Sequence, residues 1–120
     1  MKNKICTTIE QSKKLIELGL KPETADMYYY NLGHTQIPRV IYDEVRDLSR
    51  SCILAWSLSR LLVILRDWQC VWLGANDVAS WVIEFNLGSG KHYATDPTTD
   101  PLDAAYDCLV WLIENEYIKV

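Results

Sequence analysis

Leu58, Leu61, Leu62 and Leu65 stand at i, i+3, i+4 and i+7, the spacing that puts four side chains on one face of an α-helix. Ser57 precedes the first of them, where a hydroxyl can accept from a free backbone N–H. The pattern predicts a central helix over residues 55–66, its leucine face turned inward, with extended segments on both sides.

Upstream, Ile9, Leu15, Ile16 and Leu18 give a first helix its apolar side. Either Thr7 with Glu10 or Thr8 with Gln11 can form the capping box that starts it. Gly19 supplies the left-handed residue that ends it. Glu10 with Lys14 and Lys13 with Glu17 are i, i+4 pairs on its wet side. Pro22 marks a loop, because proline cannot extend the helix before it. The aromatic run Met27, Tyr28, Tyr29, Tyr30 reads as a strand. Turn residues at 31–34 follow, and Pro38 opens or edges a second strand of Arg39, Val40, Ile41 and Tyr42. Residues 43–50 are polar and ambiguous, and residues 51–54 are expected to be extended.

Downstream, residues 68–73 read either as a third strand or as the buried end of a connection, and residues 74–77 as a break. Residues 80–86 alternate most clearly, with Trp81, Ile83 and Phe85 on one face. Residues 87–90 form a turn, and residues 91–95 return as the partner strand. The last helix has Asp100 as cap, Pro101 in its first position and Asp103 in its first turn. Leu102, Ala105, Tyr106, Leu109, Leu112 and Ile113 form its apolar stripe. The chain is thus expected to be a single α+β domain over residues 1–120. Three helices pack on a small antiparallel sheet in the order α-ββ-α-ββ-α.

Composition fits such a domain: 49% of residues are hydrophobic and 23% charged. The charge is uneven. Residues 1–66 hold ten Lys/Arg against seven Asp/Glu, net +3; residues 67–120 hold two against nine, net −7. The total of −4 disfavours a binder held to nucleic acid by phosphate contacts alone. No signal-peptide pattern or membrane-length apolar run is present, so a cytoplasmic setting with no membrane contact is expected. Cys6, Cys52, Cys70 and Cys108 are scattered without a C-x-x-C pair, which points to reduced thiols rather than zinc or thioredoxin-like chemistry.

No motif specifies a reaction. Asp96, Asp100, Asp103 and Asp107 lack the alternation of a calcium loop, and capping already explains two of them. His34 and His92 both fall in or beside turns, with no nucleophile motif near them. Gly88 and Gly90 lack the rest of a phosphate loop and belong to a turn. No cofactor, metal ligand or catalytic residue is therefore expected. Five tryptophans lie within or beside apolar runs, which suits core positions.

Several segments carry a resemblance. Cys6-Thr-Thr-Ile-Glu-Gln-Ser-Lys-Lys-Leu-Ile-Glu-Leu-Gly19, Thr24-Ala-Asp-Met-Tyr28, Ala55-Trp-Ser-Leu-Ser-Arg-Leu-Leu62, Asp100-Pro-Leu-Asp-Ala-Ala105 and Trp111-Leu-Ile-Glu-Asn115 are the matching stretches. Together they resemble a family of small proteins from Bacteroides-type gut bacteria, their phages and mobile elements. Residues 31–54 and 67–99 lie outside the likeness. The family brings no activity to transfer; the resemblance implies a bacterial or phage origin and a cytoplasmic setting.

The functional expectation is a non-enzymatic protein-interaction module. Tyr28, Tyr29, Tyr30, Arg39 and Tyr42 are its candidate partner-binding residues, since exposed Tyr and Arg dominate binding energy at interfaces. The partner is expected to be a protein, with a second copy of the chain left open. One alternative is a regulator that contacts nucleic acid through Arg39, Arg46, Arg50, Arg60 and Arg66. Another is a small enzyme using His34 or His92.

Overall fold

The computed structural model describes residues 4–30, 38–41, 52–66, 72–77, 80–88 and 90–118. Helix α1 spans Ile9–Glu17. Of its two candidate capping boxes, Thr8 with Gln11 forms: Gln11 N–H donates to Thr8 Oγ1 at 3.1 Å, and Thr8 N–H donates to Gln11 Oε1 at 3.0 Å. At the other end Gly19 adopts φ 98°. Its N–H reaches Ile16 O and the Leu20 N–H reaches Leu15 O, the paired closure that a left-handed glycine permits. Leu15 and Leu20 both enter the main core from this turn. Lys14 pairs with Glu114 at 3.6 Å instead of contributing to a pair within its own helix.

After a 3-10 turn at Pro22–Thr24 come β1 (Met27–Tyr30), β2 (Pro38–Val40) and β3 (Cys52–Ala55). They form an antiparallel sheet in the order β2-β1-β3. The central helix α2 covers Leu58–Arg66. Leu61 and Leu65 are fully buried, and Leu58 and Leu62 pack partly buried against the same core. Burial of a leucine contributes about 1.5–3 kcal/mol, so this face anchors the helix.

A second antiparallel sheet follows: β4 (Trp72–Asp77), β5 (Ser80–Gly88) and β6 (Lys91–Ala94), in the order β4-β5-β6. Helix α3 spans Pro101–Glu114 and lies on β5 and against α2, while α1 lies beside β3. The α+β class and the element order are as the sequence implies, with each strand pair enlarged to three. The strands divide into two sheets among the described residues instead of sharing one.

Residues 74–77 correct one expectation. They continue β4 instead of breaking it: Gly74 pairs with Val82 and is buried, and the register shifts only between Ala75 and Asp77. A glycine inside a strand marks close backbone approach or a nearby bulge as readily as an end.

The main core joins Leu15, Leu20, Trp56, Leu61, Leu65 and Ile83 to the inner face of α3. A smaller cluster of Cys6, Met27, Tyr29 and Ala55 lies on the first sheet. No helix among the described residues is long and apolar enough to cross a membrane.

Candidate functional site

The first sheet sets where each residue of the expected tyrosine surface falls. β1 is its middle strand, and its two faces are both covered: Tyr28 and Tyr29, on opposite faces, are 5% and 8% exposed. The Tyr29 hydroxyl donates to Thr7 O at 2.8 Å and lies 3.3 Å from Cys6 Sγ. Burial and that thiol raise its pKa. These two tyrosines therefore serve packing and a buried hydrogen-bond network, which corrects their expected place on a docking face. Tyr30 ends β1, and Tyr42 lies outside the described residues. Arg39 is exposed on β2.

The buried network has Thr7 at its centre. Thr7 N–H donates to Trp56 O at 2.9 Å, and Trp56 N–H donates to Thr7 Oγ1 at 3.1 Å. The same hydroxyl meets Ser12 Oγ at 2.7 Å. Trp56 Nε1 donates to Thr24 Oγ1 at 3.0 Å. Close by, Asp26 accepts from both Ser57 N–H (2.8 Å) and the Ser57 hydroxyl, while Ser57 Oγ accepts from Arg60 N–H at 3.1 Å. The expected serine cap of α2 thus exists, and the residue just before β1 holds it.

The start of α3 is built the same way. Asp100 accepts from Leu102 N–H at 2.9 Å and from Lys4 N–H at 2.7 Å. Asp103 takes Lys4 Nζ at 2.7 Å and Gln11 Nε2 at 2.9 Å. These acids hold the chain's first segment against the helix, and no metal-ligating group of three occurs among the described residues.

The thiols among the described residues are poor nucleophiles. Cys6, Cys52 and Cys108 are free. Burial raises the pKa of each, Cys108 to about 12, and a nucleophile needs the thiolate. His34 lies outside the described residues, and His92 sits in β6 opposite Asn86. Tyr93 stacks on Trp111 at 4.1 Å and Trp111 on Tyr117 at 5.5 Å, so two neighbouring rings pack on the indole.

Among the described residues, no strand pairs with the outer edge of β2. Ile41 N–H donates to Asp26 O at 3.0 Å, so Asp26 and Ile41 form a hydrogen-bonded pair. Bonded and non-bonded pairs alternate along an antiparallel ladder. Tyr28 with Arg39 is then bonded, whereas Met27 with Val40 and Tyr29 with Pro38 are not. The Val40 N–H and C=O and the Pro38 C=O therefore point away from β1. No further strand pairs with them among the described residues. Val40 is 52% exposed beside the exposed Arg39. Arg39 is legible in the sequence as a surface residue and Val40 is not, because an apolar residue in a strand run reads as core unless the edge is known.

Compared with protein-family models, curated proteins and solved structures, the chain matches none of them.

Proposed function

We propose that the chain is a non-enzymatic protein-interaction module of bacterial, phage or mobile-element origin, acting in the cytoplasm and docking its partner on the outer edge of β2. One observation carries the docking surface: outward backbone groups at Pro38 and Val40 lie beside two exposed side chains, Arg39 and Val40. Sheet edges of this kind accept an added strand through main-chain hydrogen bonds, with side-chain pockets giving selectivity. The free thiols suit a reducing compartment, and the origin rests on the resemblance of the quoted segments. The test compares proteins captured by the wild-type chain and by Val40→Pro, which removes the outward N–H, with thermal unfolding as a control for folding. Loss of a specific partner with an unchanged unfolding midpoint supports the reading. Capture of the same partners by the folded variant ends it.

A second reading, a regulator that contacts nucleic acid, has one observation in its favour. Arg60 and Arg66 are exposed on α2, on either side of Val63 on its outer face, and neither joins an ion pair among the described residues. Arg46 and Arg50 fall outside those residues. This reading requires binding of DNA or RNA that weakens steeply with salt, and no retention at low salt removes it.

A further inference from the structure

We infer that the occupant of the β2 edge is an extended acidic segment of a partner protein, with an apolar residue followed by Asp or Glu and then by any residue except proline. This rests on the reading of β2 as a docking edge and adds its chemistry.

The register follows from the backbone. An added antiparallel strand places one of its residues opposite Val40, accepting the Val40 N–H and donating to the Val40 C=O. Opposite residues share a sheet face, so that residue's side chain lies against Val40, which is 52% exposed. An apolar side chain there removes both from water.

The next residue of the partner falls opposite Arg39, in a non-bonded pair where side chains approach most closely. Arg39 is exposed, and a guanidinium has five N–H donors, so it can take a carboxylate from the solvent side while keeping its other contacts. The third partner residue donates its N–H to the Pro38 C=O, which excludes proline there. Pro38 has no N–H to return, so the ladder stops after three bonds. That stop also argues against a second copy of this chain. A β2–β2 pairing centred on residue 39 would set two Arg39 side chains directly opposite each other, and like charges so placed repel.

The test titrates the 15N-labelled full chain with three capped peptides, Ser-Thr-Val-Glu-Thr-Thr-Ser, the same peptide with Lys in place of Glu, and the same with Pro directly after Glu. The expected result is saturable shifts at the Val40 amide with the Glu peptide. Affinity should be about tenfold lower for the Lys peptide and likewise lower for the Pro peptide. Arg39→Glu should reverse the preference between the Glu and Lys peptides. The peptide exchange on the unaltered chain keeps the test decisive if that variant fails to fold.

Equal binding of the Glu and Lys peptides overturns the acidic assignment but leaves the edge as a docking site. Shifts at Val40 that depend on protein concentration and not on peptide overturn it in favour of a second copy. No shift with any peptide up to about 1 mM overturns the inference, and the Val40→Pro capture experiment then decides the edge reading by itself.

Discussion

Replacing Thr7 by Val keeps the shape of the side chain and exchanges its hydroxyl for a methyl. Thr7 and Ser12 are both fully buried, and the Thr7 hydroxyl serves the Trp56 N–H and the Ser12 hydroxyl together. Thr7→Val leaves two buried polar groups without a partner. Each such group costs about 1–3 kcal/mol, and the added methyl returns about 1 kcal/mol, so the net loss should be about 1–5 kcal/mol, centred near 3. For a chain of this size that is a fall of roughly 10 °C in Tm. Urea unfolding of Thr7→Val, Ser12→Ala and the double variant measures it. The double variant should lose less than the sum of the single losses, because Ser12→Ala removes one of the stranded groups. A loss below about 0.5 kcal/mol, or strict additivity, would refute the claim that this hydroxyl is a shared buried partner.

Three further outcomes follow from the same geometry. Glu116 holds φ 62° where the chain leaves α3, so Glu116→Gly should raise stability by about 1 kcal/mol in urea unfolding, relieving backbone strain and removing an acid from a helix C-terminus. Partial burial, together with Asp103 and Asp96, raises the pKa of Asp107; its unfavourable ionisation is then felt as pH rises above 3.8, and Asp107→Asn should stabilise the protein at pH 7 and flatten the stability profile through the weakly acidic range. Cys6, Cys108 and Tyr29 hold their protons more tightly folded than unfolded, so stability should fall as pH rises above about 9, and Cys108 should resist alkylation at pH 8 until the chain is unfolded.

The helices were legible because their determinants are local. The leucines of α2, Gly19 after α1, and Asp100 with Pro101 before α3 act within one or two turns of chain. The choice between Thr7 and Thr8 as cap of α1 was not legible, since Thr7 is claimed by Trp56, far along the chain. Strand order was hidden for the same reason. Nothing in three consecutive tyrosines says that their strand lies between two others or that both of its faces are covered, as the burial of Tyr28 and Tyr29 shows they are. The candidate docking edge depends on that order, so only Arg39 of the expected site residues carries into it.

The starts of α2 and α3 are each held by residues from distant parts of the chain: Asp26 grips Ser57, and Lys4 and Gln11 grip Asp100 and Asp103. A fragment containing either helix alone would lack its clamp and fray from its leading turn. The molecule should therefore lose these helices together with its sheets in one transition, and amide exchange should slow in the first turn of α3 only when the opening residues of the chain are in place, and in that of α2 only when Asp26 is.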